Sequence, residues 1–257
     1  MDKATLIGVG GGLGVIVLAN VLEGGNPASL LLLPAMLLVI GGSIGAAVAG
    51  GTMDDTKAAV RALVRAFTWK PALAGDLVPV VVKLADKARR EGLLTLEDAL
   101  ADVDDDFLKR GVGLAVDGTD PDELREILES EVDAKRATDK HAAKFFNDMG
   151  GYAPTIGIIG TVMGLVHVLE NLSAPDKLGH LIAGAFVATL WGVMTANLIW
   201  LPVGSRLTRL SQIEAARMEL VIEGVLAVQA GANPRVVAQR LNALLPESQR
   251  GVEQKAA

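Results

Sequence analysis

The sequence predicts an all-α integral membrane protein: four transmembrane helices, a helical cytoplasmic domain between spans 2 and 3, and a helical cytoplasmic tail. Three observations carry this. Of the 257 residues 51% are hydrophobic and only 4% aromatic, with a mean hydropathy of +0.40, too apolar for an ordinary soluble domain. Four stretches hold no Lys, Arg, Asp or Glu: Ala4 to Leu22, Leu30 to Gly50, Tyr152 to Leu169, and Leu178 to Gly204. Each has at least about 18 residues, enough at ~1.5 Å per residue to cross a hydrocarbon core of roughly 30 Å. In the charged remainder, apolar residues recur at spacings of three and four, and no alternating strand pattern is present.

Residues 1–50 are expected to hold the first two spans, about 4–22 and 30–50. A cleavable signal peptide offers a similar apolar run after Lys3, but "EGGNPASLLLLPAMLL" leads straight into a second span. Residues 51–150 form the predicted cytoplasmic domain, with helical periodicity in "TKAAVRALVRAF", "GDLVPVVVKLADKARREGLLTLEDALA" and "PDELREILESEVDAKRATDKHAAKFFNDM". The last of these has a clear start. Asp120 can cap, Pro121 suits the first helical position, and Glu123 has capping-box spacing. This helix is expected to run to about Asp148 and hand over to a span at Gly150-Gly151. Residues 151–204 hold spans 3 and 4, about 152–169 and 181–203, and 205–257 form the tail.

Charge sets the expected orientation. Of the 24 Lys and Arg, 15 lie between Gly51 and Gly150 and seven follow the fourth span; Lys3 precedes the first span and Lys177 alone sits in a short outer loop. The positive-inside rule puts both termini and the long middle segment in the cytoplasm.

Several classes of function find no support. The net charge is −6 with basic and acidic residues interleaved, which speaks against nucleic-acid binding. The absence of cysteine removes disulfides and thiolate metal sites. His141, His167 and His180 are dispersed without metal-ligand spacing, and neither a nucleophile motif nor a phosphate-binding P-loop is present. No enzyme activity, metal or cofactor is expected.

Within the spans, small and polar residues are informative. Gly8 and Gly12, Gly41 and Gly45, and Gly160 and Gly164 form small-xxx-small pairs that let helix backbones approach closely, either within one bundle or between subunits. Spans 3 and 4 carry Thr155, Thr161, Thr189, Thr195 and Asn197 but no carboxylate within the hydrocarbon; Glu170 and Asp176 belong to the outer edge. Ion relays in membranes ordinarily use an ionisable side chain as carrier, and this chain has none at mid-depth. Pro154 and Pro202 stand at the inner ends of spans 3 and 4, where each marks a helix end or kink.

The ordered set "GGYAPTIGIIGTVMGLV", "GHLIAGAFVATLWGVMTANLIWLPVGSRL", "ARREGLLTLE" and "EGVLAVQAGANPRVV" resembles the MotA/PomA family, the A subunit of the bacterial flagellar motor stator, over nearly the whole chain. The resemblance implies a multi-pass protein of the bacterial inner membrane. It implies a homopentameric ring around two B subunits, each with an intramembrane aspartate that binds the transported ion. It places the family's functional prolines on Pro154 and Pro202. Rotor-facing charges fall on Arg89 and Glu97, with Arg90 and Asp98 as near neighbours, directed at the rotor switch protein FliG; Gly92 stands between them as a possible break. Thr161 and Thr189, with Ala188 beside the latter, are the candidates for lining the ion path, since a hydroxyl can orient water or ligate a cation; packing as back-bonded helix residues remains open for both threonines. Sodium-driven relatives often have adjacent threonines where this chain reads Ala188-Thr189, so protons are expected as the transported ion, with sodium the alternative. An ExbB/TolQ-like motor subunit, with three spans, fits the layout less well, and a passive membrane scaffold is what the glycine pairs alone would allow.

Overall fold

The computed structural model describes residues 4–69, 72–101 and 103–250; Lys3, the Lys177 side chain and the tail beyond Arg250 lie outside the described residues. The described residues are helical with no strand, and they cluster into two compact units, Met1–Lys70 with Thr138–Leu210 and Pro71–Ala137 with Ser211–Ala257.

In the first unit, α1 (Ala4–Leu22) is followed by a 3-10 turn, Pro27–Leu30, that Asn26 caps by accepting from the Ala28 amide at 3.0 Å. Next come α2 (Leu33–Met36), a π turn (Leu37–Gly41) and α3 (Gly42–Ala49), one continuous apolar helix from Leu33 to Ala49. Helix α4 (Met53–Thr68) begins after only three residues, at a complete capping box: the Thr52 hydroxyl accepts from the Asp55 amide at 3.2 Å, and the Asp55 carboxylate from the Thr52 amide at 3.0 Å. Hydrogen bonds from Thr52, with His141 adding a further one at 3.1 Å, hold the Asp55 carboxyl below its ordinary value. Ala59 and Ala66 of α4 are buried against Ala143, Phe146, Val203 and Leu207.

The second unit contains α5 (Val78–Glu91), the short α6 (Leu96–Leu100) and α7 (Asp106–Val116), together with residues of α8 (Pro121–Glu170), α10 (Leu201–Gln229) and α11 (Pro234–Leu244). Its core is large and aliphatic, built around Val81, Leu84, Leu108, Leu128, Val225 and Leu241. Asp120 starts α8 as expected, accepting from the Asp122 amide at 2.9 Å. Three charge pairs tie α8 to α10, Arg125 with Glu223 at 2.9 Å, Lys135 with Glu214 at 3.2 Å, and Arg136 with Glu219. Arg125, earlier in α8, pairs further along α10 than Lys135 and Arg136 do, so the two helices run antiparallel here.

Helix α8 runs unbroken from Pro121 to Glu170, straight through Gly150-Gly151, where the sequence places the passage from cytoplasmic helix to span. Glycine costs only about 1 kcal/mol in a helix, and at Gly150 the missing side chain is needed, because a Cβ would sit 2.6 Å from Leu201 Cδ2. Of the two readings given for the prolines, helix end or kink, the helix end does not occur at either. Pro154 lies inside α8, while Pro202 follows a second π turn (Ala196–Trp200) that links α9 (Pro175–Thr195) to α10. There the Leu201 amide donates five residues back, to Ala196 O, and this wider turn passes the backbone over the residue that has no amide to donate. Among the described residues three helices are long and apolar enough to cross a membrane, and Leu33–Ala49 is a shorter apolar helix.

Asp105 is the main buried charge among the described residues, 7% exposed; one oxygen caps α7 by accepting from the Leu108 amide at 2.8 Å and the other pairs with Arg217. Removing one partner of such a pair strands the other charge. Asp105→Ala should cost about 3 kcal/mol or more, seen as a lowered unfolding midpoint of the detergent-solubilised protein, and Asp105→Asn, which keeps the cap acceptor, should cost less.

Candidate functional site

Helices α8 and α9 meet along a seam of small residues. A Cβ on Gly157 would lie 2.9 Å from Ala188 O; on Gly160, 2.6 Å from Ala188 Cβ; on Gly164, 2.5 Å from Ala185 Cβ; and on Gly192, 2.5 Å from Ala153 O. At Gly157, Gly164 and Gly192 an added carbon would strike backbone atoms of the facing helix, and at Gly160 it would strike the Ala188 methyl group. Gly160 and Gly164 thus resolve toward packing within the chain. Gly12 faces Leu198, whereas Gly8, Gly41 and Gly45 have nothing within 4 Å among the described residues.

This approach brings Thr161 and Thr189 together. Their hydroxyl oxygens are 2.5 Å apart, and Thr161 Oγ also lies 3.1 Å from Ala185 O and 3.3 Å from Gly157 O. Thr189 Oγ is likewise 3.3 Å from Gly157 O. Two hydroxyls and two carbonyls form one half-buried oxygen cluster. Ala188, the third residue assigned to the path, is buried in the seam beside it. A cavity of about 400 Å³, lined mainly by apolar groups and reaching His167 and His180, has Gly160 and Ala188 in its wall, each the chain neighbour of a paired threonine.

Below the threonines the irregular backbone collects in a single layer. Val39 of the first π turn, Ala153 beside Pro154 and Ala196 of the second π turn are all buried against one another, with Trp191 and Trp200 alongside. Trp191 donates its indole N–H to Leu30 O at 2.7 Å, tying α9 to the chain before α2. The sequence reading missed Gly157, Gly192 and this indole bond. A signal for the glycines was present, as Ala153, Gly157, Gly160 and Gly164 recur at spacings of three and four against Ala185, Ala188 and Gly192; nothing local marks the indole's acceptor.

In the second unit, Gly92 at φ +91° ends α5 and turns the chain toward α6, as its position suggested. Arg89 and Arg90 occupy the last turn of α5, Glu97 and Asp98 the first turn of α6, and all four are exposed. Arg90 pairs with Asp86 at 3.1 Å, whereas Arg89, Glu97 and Asp98 form no ion pair among the described residues.

Two family models account for most of the chain: "Motility protein A N-terminal" matches residues 6–92, and "MotA/TolQ/ExbB proton channel family" matches residues 99–220. Motility protein A of Bacillus subtilis is 39% identical over 97% of this chain and 93% of its own length. The chain belongs to the motility protein A family. Chemotaxis protein PomA of Vibrio alginolyticus, 34% identical over 98% of this chain and 99% of its own, is a further relative. Among solved structures, the flagellar MotAB stator complex of Bacillus subtilis matches with a TM-score of 0.90 at 37% identity over 99% of this chain and 100% of that one. The MotAB structure of C. jejuni matches with a TM-score of 0.92 at 28% identity, over 96% and 97%. Membership of this family fits an apolar, multi-pass membrane protein with the ion-conducting and motility roles that the family's name carries.

Because Gly192 sits on backbone atoms, Gly192→Ala must push α8 and α9 apart. The expected result is a lower unfolding temperature and a separated Thr161–Thr189 pair, the latter measured as a longer distance between spin labels placed on the outer ends of the two helices. Gly179→Ala, with nothing within 4 Å of its Cβ, is the control and should be silent.

Proposed function

We propose that this chain is the A subunit of a flagellar stator. With a B-type subunit it forms a cation channel whose ion flow drives torque on the rotor. The observation that carries this reading is the full-length match to MotAB stator complexes, joined to a hydroxyl cluster set in spans that hold no carboxylate of their own. A helix from a partner must then bring the aspartate that carries the ion.

On this reading the chain crosses the bacterial inner membrane four times. Leu33–Ala49 serves as the second span, its length falling at the lower end of the usual ~17–25 residues. Both termini and the middle segment lie in the cytoplasm, where the basic residues concentrate. Copies of the chain form a ring, a pentamer as the resemblance implies, around the B subunits. Exposed Arg89, Arg90, Glu97 and Asp98 meet the rotor protein FliG; surface charges of this kind add little to stability but steer and register an encounter. Pro154 and Pro202 flank the layer of irregular backbone and are the points at which ion binding is relayed to the cytoplasmic helices.

Protons are the favoured ion. Ala188 removes one hydroxyl from the α9 side, and the two remaining hydroxyls are engaged with each other and with carbonyls, leaving few oxygen ligands for a dehydrated sodium ion. The alternative, sodium, is tested in the same flux assay.

Reconstituted alone in liposomes, the chain should leave a pH gradient intact, and co-reconstituted with its B-type partner it should dissipate it without need of sodium. Flux through the A chain alone would overturn the reading. Charge reversal at Arg89 or Glu97 should impair swimming by several-fold while membrane insertion and assembly remain normal, checked by swim-plate diameter against the amount of complex recovered; a variant that fails to assemble would return the residue to a structural role.

A further inference from the structure

Helix α4 leaves an apolar strip uncovered. Its inner face is packed, with Ala59 and Ala66 buried, yet Met53, Val60 and Val64 are 63%, 61% and 62% exposed. At ~100° per residue these three fall within about 40° of one another around the helix. Lys57 and Arg61 continue the same exposed face on one side of the strip. The nearby Arg65 is not part of this set: it bonds Asp139 at 3.1 Å and stacks over Trp69 at 4.3 Å.

Three exposed aliphatic side chains in a row on a charged helix are costly in water, at ~25 cal/mol per Å² of apolar surface. Their position in the chain says what covers them. Helix α3 ends at Ala49 and α4 begins at Met53, so the extended chain can carry the start of α4 no further than about 14 Å from the end of the apolar helix. The polar layer on each side is only roughly 5–8 Å deep, so the start of α4 stays at or close to the membrane surface. There, an apolar strip can enter the acyl boundary while Lys and Arg extend their stems along it and hold their charges at the phosphates.

We propose that the exposed face of α4 is a docking surface for anionic phospholipid headgroups, with Met53, Val60 and Val64 seated in the acyl boundary and Lys57 and Arg61 at the phosphates. The inference rests on the membrane placement given above. Charge complementarity selects lipid over a second copy of this chain. Arg61 forms no ion pair among the described residues, its Nε reaching only Lys57 O at 3.4 Å, and Lys57 meets only Asp54, in an exposed contact at 3.2 Å that contributes little. An anionic leaflet attracts each such residue by about 1 kcal/mol, a factor of about five in affinity.

The test uses the full chain in nanodiscs of phosphatidylcholine and phosphatidylglycerol, with retained lipids counted by mass spectrometry of the released complex. The wild type should retain phosphatidylglycerol in preference. Lys57→Gln with Arg61→Gln should reduce that preference on the order of 20-fold, and Val60→Asn with Val64→Asn should reduce retention of both lipids. Equal retention of the two lipids by the wild type, or an unchanged preference in the charge variant, would overturn the proposal. So would a photo-crosslinker at position 60 or 64 that captures a second copy rather than lipid. Failure of the chain to enter nanodiscs at all would overturn the membrane placement as well, whereas entry without lipid preference would overturn this inference alone.

Discussion

Contact between the backbones of α8 and α9 is the constraint on which the apolar unit depends. Where helices meet in lipid there is no water to expel, so close van der Waals contact must hold them, and it is available only where side chains are small. The seam from Gly164 and Ala185 down to Ala153 and Gly192 meets that condition at every turn. The threonine pair is a consequence of it. Two hydroxyls on separate helices reach 2.5 Å only because the helix axes are drawn together on either side of them. In turn, the Gly157 and Ala185 carbonyls, already bonded within their own helices, become neighbours of a side chain that can use their second lone pair.

The same close packing explains where the backbone departs from α geometry. A proline inside a helix, or a π turn, leaves a carbonyl without its usual donor and weakens the local ladder, so scattering such defects would soften every span. Here Pro154 and the two π turns converge on the layer of Val39, Ala153 and Ala196, which is almost completely buried. Ser43 and Thr195 add hydroxyl donors to carbonyls in the same region, Ser43 to Val39 O at 2.5 Å and Thr195 to Trp191 O at 2.7 Å. The result is one layer with reduced backbone bonding between segments that are regular.

Much of this could be read from residue order alone. Absence of charge located the apolar helices, because an ionic side chain in hydrocarbon is too costly to be placed at random. The Asp120-Pro121 start and the Gly92 stop were legible for local reasons, one a side-chain acceptor and the other a φ of +91° that only glycine adopts without strain. Prolines and paired glycines are weak breakers whose cost tertiary packing can outweigh: at Gly150 by contact with Leu201, at Pro202 by a wider turn. The two threonines stand out in the sequence as polar groups in apolar spans, but their mutual bond joins positions far apart in sequence and depends on a helix register that no local pattern specifies. The same holds for the Trp191 indole and for the Arg217 partner of Asp105.

The turn at Gly92 has a further meaning for how such a surface changes over time. Arg89 and Glu97 are held apart by backbone geometry and by the buried Leu96 and Ala88 beneath them, not by contacts of their own. Their identities are therefore decoupled from the shape that presents them. Single substitutions can rewrite the sign or spacing of charge on this edge while the scaffold below keeps its fold; the side chains are interchangeable type set in a fixed frame.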